Sequence, residues 1–250
     1  MYQSEYGKMY QTEEKLWWYV GLRHTLKYYL QKYAPTNASV LDAGCGTGKN
    51  LAFFQSLGYD VQGFDYSADA VVYCHKRGLD QVKQGDIIAI NYPGETFDVV
   101  TCMDVTGSLT LADNELAVTE MYRVLKPGGI LIANTAALEL FRSQHDDVAN
   151  IKLRFTKAQF KNLFERDNTT TLKLSYKVFL LSPLILLFKL IKRVTRIFKT
   201  TGQSASDQVI FPFGINWLLL QIQLVENWLF TKVSFPFGSS VFIVVQKATL

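Results

Sequence analysis

The chain has 250 residues, 48% of them hydrophobic and 14% aromatic, with 26 Lys and Arg against 22 Asp and Glu for a formal net charge of +4. That is enough apolar material for one large globular domain or two small ones, and it excludes a disordered chain. The three cysteines, Cys45, Cys74 and Cys102, are too few for a disulfide framework; no Cys/His cluster has metal-ligand spacing and no signal peptide opens the chain, so a cytoplasmic, metal-free protein is expected.

Residues 12–33 are predicted to form one helix, capped by Thr12, with Glu13 and Glu14 at its positive end and Pro35 stopping it. It carries the aromatic pair Trp17 and Trp18, followed by Arg23 and His24. From 39 to 135, β-rich runs at 39–43, 60–64, 81–84, 98–103 and 130–134 alternate with helical ones near 49–57, 68–77 and 114–125. Such alternation implies parallel strands joined by helical crossovers. A polar loop, a helix near 157–165 and a strand near 171–176 come next.

Residues 178–188 are almost wholly apolar. They lead into a helix with Leu190, Ile191, Val194, Ile197 and Phe198 on one face and Lys189, Lys192, Arg193, Arg196 and Lys199 on another. Seven cations and no acid fall between 171 and 201, which leaves the rest of the chain net negative and without need of a polyanionic partner. A polar, mobile loop is expected at 200–208, a second apolar helix at 216–230 and a last strand at 241–246. Phe-Pro-Phe-Gly occurs at 211–214 and 235–238, too short a match to count as a repeat.

Chemistry is concentrated after the first strand. Val40-Leu41-Asp42 ends a buried run, and Gly44, Gly46 and Gly48 then open a helix at Lys49, a turn in which backbone can approach a nucleotide closely. Asp65 follows Gly44 by 21 residues, at the end of the second strand, where its carboxylate can accept from two ribose hydroxyls. A dinucleotide fingerprint needs its third glycine one residue later, where this chain has Lys49. Asp42 beside the turn repels a phosphate but suits an ammonium or a sulfonium.

These motifs resemble the class I S-adenosylmethionine-dependent methyltransferases of the type 11/12 kind, over residues 37–178 and the last strand. The resemblance implies a doubly wound α/β fold with a mainly parallel seven-stranded sheet and an antiparallel last strand. It divides the chain into cap helices (1–36), a cofactor-binding core (37–177), a helical lid insertion (178–235) and a closing strand (236–250). It also implies that Asp42, Gly44, Cys45, Gly46 and Gly48 contact the methionine part of the cofactor, Asp65 and Tyr66 the ribose, and Asp86 and Ile87 the adenine, with Met103 at the cofactor-facing end of the fourth strand. The product is S-adenosylhomocysteine and no metal is called for.

Relatives often carry Glu-His after the fourth strand, whereas Asp104-Val105 continues here as Thr106-Gly107-Ser108, so Asp104 is the acid left at the strand end. Ser143-x-His145-Asp146 resembles a subgroup motif after the fifth strand and makes His145 a candidate base or substrate donor. In that subgroup a His and two Arg precede a Tyr further on, where this chain has residues 151–155, Ile-Lys-Leu-Arg-Phe. Trp17, Trp18, Arg23 and His24 are expected to cap the substrate cleft, and His24 joins Asp104 and His145 as a catalytic candidate.

The acceptor is expected to be a hydrophobic small molecule, natural product or peptide carboxylate, methylated on oxygen. A carboxylate is already ionised and needs no base, which fits the missing Glu-His pair. Alternatives are N- or C-methylation, an RNA or protein substrate, or a cofactor-binding protein without turnover. A nucleic-acid partner is not expected, because the cations sit on an apolar helix without a stacking platform. The segment 178–199 is read as a lid, a peripheral membrane contact or an ordinary core helix.

Overall fold

The computed structural model describes residues 3–197 and 212–249. In chain order the elements are α1 (Gln3–Thr12), α2 (Trp17–Tyr33), β1 (Ser39–Ala43), α3 (Lys49–Ser56), β2 (Asp60–Asp65), α4 (Ala68–Lys76), β3 (Lys83–Gln84), β4 (Phe97–Met103), α5 (Leu111–Val124), β5 (Leu125–Ala136), α6 (Gln144–Val148), α7 (Lys157–Phe164), β6 (Thr169–Lys177), α8 (Ser182–Ile197), α9 (Phe213–Phe230) and β7 (Ser240–Lys247).

The strands form one seven-stranded sheet in the order β3-β2-β1-β4-β5-β7-β6. β1 to β5 are parallel, and β7 runs antiparallel to both neighbours. Val40–Ala43, Val99–Met103 and Ile130–Thr135 are buried without alternation, as strands covered by helices on both faces must be. One face packs against α5 and α7 through Val118, Met121, Phe160 and Phe164. The other packs against α2, α3 and α9 through Leu26, Leu30, Leu51, Phe54 and Phe230. Strand order reverses between β1 and β4, and at such a switch point an open sheet leaves a crevice at its carboxyl ends.

Two sequence expectations need correction. The helix expected at 12–33 is two: Thr12 ends α1, and Glu13 and Glu14 lie in the connecting turn rather than at a helix start. The break follows from Glu13, drawn into the core by Thr47 and Arg77. No side chain within α2 caps its start; Asn216 of α9 does so instead, its Oδ1 accepting from Trp17 N at 3.1 Å and its Nδ2 donating to Lys15 O at 2.8 Å. The third strand is shorter than 81–84, pairing only through Lys83 and Gln84 at an exposed edge. Phe198, Lys199, Phe211 and the loop expected at 200–208 lie outside the described residues.

α9 lies along α2, and the approach is tight at Gly21, where a Cβ would come within 2.4 Å of Gln223 Cγ. A polar network ties this contact to the sheet. Lys177 is fully buried, and its Nζ donates to Thr25 Oγ1 at 2.5 Å and Asn227 Oδ1 at 3.0 Å. Asn227 Nδ2 donates to Gly21 O at 2.7 Å. The Glu226 carboxylate accepts from the backbone N–H of Val178 at 2.6 Å and of Leu180 at 2.9 Å, fixing the lead-in to α8.

Candidate active site at the carboxyl ends of β1 and β4

β1 delivers Asp42 to the switch point, 1% exposed. Its Oδ1 accepts from Thr101 Oγ1 of β4 at 2.6 Å, while Oδ2 is buried with no partner. Burial pushes the carboxyl up to about 7, against the pull of the Thr101 bond and with a further push from Asp65. An orphaned carboxylate oxygen at this depth needs a donor, and the ammonium of an amino-acid moiety is one.

The chain then turns through Gly44 at φ 81°, where a Cβ would stand 2.4 Å from Val105 Cγ2. The turn therefore accepts neither a side chain nor its backbone conformation, and it abuts the Asp104-Val105 loop directly. Gly48 caps α3 in the left-handed region. Cys45 turns inward, with its Sγ 3.9 Å from Cys74 Sγ and its N–H bound to Phe64 O at 3.0 Å, so neither group is directed outward from the turn.

Asp65 ends β2. Its carboxylate accepts from Gly46 N at 2.8 Å, from Ser67 N at 2.9 Å and from the Tyr6 hydroxyl of α1. Burial raises its pKa and these donors restrain the rise. Tyr66 beside it is 75% exposed. Asp86 lies in the loop after β3, its Oδ1 accepting from Ile88 N at 3.2 Å, and Ile87 is buried beneath it. Met103 packs into the core cluster that holds Leu22 and Leu26 of α2.

Asp104 follows β4 at φ 59°, a strained conformation for a residue with a side chain. Asn134 of β5 holds it from both sides: Asp104 N donates to Asn134 O at 2.7 Å, and Asn134 Nδ2 donates to Asp104 Oδ1 at 2.9 Å. Asp104 is exposed to solvent, yet protein atoms crowd around it, and their desolvation pushes its carboxyl up to about 7 against the pull of the Asn134 hydrogen bond. A carboxyl so placed can exchange a proton near neutral pH.

α1 and the turn after it cover this crevice. Met9 Cε packs against Gly46, and Glu13 accepts from the Thr47 hydroxyl and from Arg77. Arg23 is buried and donates to Glu13 O at 2.7 Å. Burial lowers its pKa. Tyr19 lies near Asp104, Glu13 and Arg23, and burial raises its hydroxyl far above the ordinary phenol value. Trp17 and Trp18 meet edge to face at 6.2 Å.

His24 is exposed and faces elsewhere, into a groove of about 260 Å³ between α2 and α9 lined by Tyr28, Leu224, Asn227 and Trp228. His145 sits on the five-residue α6, next to Asp146, which is 1% exposed and binds Arg154 through both oxygens at 2.5 and 2.9 Å. That ion pair fixes the segment after β5. Thr101, Asn134, Tyr6 and Glu13 are site residues that sequence reasoning did not single out. The signal for Asn134 was present: it is the one polar residue in Ile130-Leu131-Ile132-Ala133-Asn134, at the same sheet edge as Asp42.

Residues 41–133 match the family profile described as "Methyltransferase domain". Among curated proteins, the chain is 35% identical to a malonyl-[acyl-carrier protein] O-methyltransferase of Yersinia pestis over 41% of this chain and 38% of that one. It is 34% identical to a demethylmenaquinone methyltransferase of Lactiplantibacillus plantarum over 44% of this chain and 50% of that one. The chain thus spans half or less of the length of these relatives. A solved S-adenosylmethionine-dependent methyltransferase of Methanosarcina mazei, 16% identical, superimposes over 89% of this chain and 98% of that one with a TM-score of 0.57. Residues 41–133 thus match a methyltransferase domain, set in a chain that shares the fold of the solved Methanosarcina mazei enzyme.

Proposed function

We propose that this protein methylates a hydroxyl oxygen of a hydrophobic small molecule, with S-adenosylmethionine as donor and S-adenosylhomocysteine as product. The residues present fit the donor: Asp42 offers an unpartnered buried oxygen, Asp65 a carboxylate at the ribose position, and Asp86 with Ile87 a polar and an apolar contact for adenine. When bound, the cofactor supplies a methyl carbon already activated for displacement.

The observation that carries the oxygen reading is Asp104, strained, held by Asn134, adjoining the glycine turn and pushed up to about 7. Its carboxylate takes the hydroxyl proton as the new oxygen–carbon bond forms, while Asn134 keeps the acid aimed. Neither Arg23 nor His24 of α2 is turned to this place as a carboxylate anchor. Arg23 is engaged with Glu13, and His24 faces the α2–α9 groove. A neutral acceptor is therefore favoured over the carboxylate expected from the sequence.

Similarity to the malonyl-[acyl-carrier protein] O-methyltransferase supports a second reading, esterification of an acid. Incubation with methyl-labelled donor and a fractionated metabolite extract separates the two. An ether keeps its label in mild alkali, whereas a methyl ester releases labelled methanol. Alkali release would establish the second reading. Label on nitrogen, carbon or RNA, or cofactor binding without any transfer, would sink both.

A further inference from the structure

α9 is amphipathic in reverse. Its inward face carries Gln223, Glu226 and Asn227, all buried and hydrogen-bonded to one another, to Lys177, or to the backbone of α2 and of the α8 lead-in. Its outward face carries Leu218, Val225 and Trp228, each more than half exposed, with Trp217 at 53% and Ile215 at 50% beside them. A helix bordered by water normally presents the opposite arrangement.

The first turns of α8 repeat the pattern. Ser182 is buried with its hydroxyl donating to Val178 O, and Lys189 reaches inward to Phe141 O, while Leu184, Leu187 and Phe188 are 54%, 55% and 50% exposed. Spacings of three and four residues put these side chains on one helical face. Glu226 joins the two helices, since both of its carboxylate oxygens hold the backbone leading into α8. Exposed apolar side chains on two helices tied through Glu226 call for an apolar covering.

Charge identifies the covering. α8 contains Lys189, Lys192, Arg193 and Arg196 and no acid, and the one acid of α9 is the buried Glu226. At the rim, Lys232 Nζ stands 3.9 Å above the ring of Trp228. Exposed tryptophans beside cations suit the headgroup boundary of a bilayer. A second copy of this chain would instead bring one acid-free cationic run against another. Among the described residues no helix is long and apolar enough to cross a membrane.

We propose that the outward faces of α8 and α9 seat the protein on an anionic lipid surface, with Leu184, Leu187, Phe188, Leu218, Trp217 and Trp228 entering the headgroup boundary and the acid-free positive charge of the α8 sequence favouring anionic lipid. The inference does not depend on the acceptor of the methyl group.

Flotation of the whole chain with vesicles of phosphatidylcholine, and of phosphatidylcholine with about one third phosphatidylserine, tests it at low and high salt. The expected result is co-flotation with the anionic vesicles, weakened by salt, and a blue shift of tryptophan emission. Trp217→Ser/Trp228→Ser and, separately, Lys192→Glu/Arg193→Glu are each expected to lose at least about tenfold in partitioning. Circular dichroism and cofactor affinity of both variants should stay unchanged, which separates lost docking from lost folding. Absence of flotation, equal partitioning of the Trp variant, or a lipid-independent dimer that shields the tryptophans would each overturn the proposal.

Discussion

Lys177→Met perturbs the polar joint between the sheet and α9 at its centre. The amine is fully buried, and burial pulls it from the ordinary lysine value of 10.5 down to about 7, with Glu226 opposing the fall. In the unfolded chain it keeps its proton to about 10.5, and in the folded chain only to about 7. Between those values the unfolded state binds the extra proton, so stability rises with pH; below about 7 both states are protonated and the full cost is present. The slope is about 1.4 kcal/mol per pH unit, and the span of about 3.5 units amounts to about 5 kcal/mol. Methionine removes the titration, and replacing a buried ion by an apolar side chain of similar volume is commonly neutral or stabilising.

Urea unfolding of both proteins, run in parallel from about pH 6 to about pH 9, therefore has a defined outcome. At neutral pH the variant is at least as stable as the parent. The stability of the parent minus that of the variant then climbs by about 1.4 kcal/mol per unit above about pH 7, other groups cancelling in the difference. A difference that stays flat across this range, or falls as pH rises, would show that Lys177 keeps its charge in the fold and would refute the reasoning.

Asp104→Asn should lower kcat by about a hundredfold or more with cofactor affinity little changed, and should abolish a rise in rate with pH centred near the parent carboxyl value of about 7. His145→Ala, assayed alongside, should retain most turnover; the reverse pattern would make His145 the base. Gly44→Ala forces a side chain into a left-handed backbone and against Val105, at a cost of about 3 kcal/mol and a fall in thermal midpoint on the order of 10 °C. Adding Val105→Ala should recover the steric part and leave the backbone part. Asp146→Ala strands the Arg154 guanidinium, only 6% exposed, and should destabilise by about 3–5 kcal/mol in a melt.

The sheet was legible because its signals are local. Alternation of β-rich and helical runs gives the five parallel strands, and the run Gly44, Gly46, Gly48 marks the turn from β1 into α3 at the switch point. What escaped depends on contacts distant in sequence. Glu13 looks like a first-turn acid until Thr47 and Arg77, 34 and 64 residues away, pull it inward and split the amino-terminal helix. Asn216 caps α2 from 199 residues further on, which no local pattern can reveal. Adjacent positions also diverge: Arg23 points to the crevice cover and His24 to the α9 groove, because successive residues on a helix lie about 100° apart. Asp104 alone could be proposed from the sequence, but its strain and its hold by Asn134 could not.

The reversed polarity of α9 also governs how this helix comes loose. Lifting it from α2 wets Gln223, Glu226, Asn227, Thr25 and Lys177 together with the apolar contact of Phe230 and Tyr29. Newly wetted polar groups lower the heat capacity and apolar ones raise it, so around this joint the two contributions offset one another. Local opening there carries a small heat-capacity change and a weak urea dependence, whereas the apolar sheet below unfolds with a strongly curved temperature profile. In hydrogen exchange, the amides of α9 should exchange by openings nearly insensitive to temperature and denaturant, while those of β4, β5 and β7 wait for global unfolding.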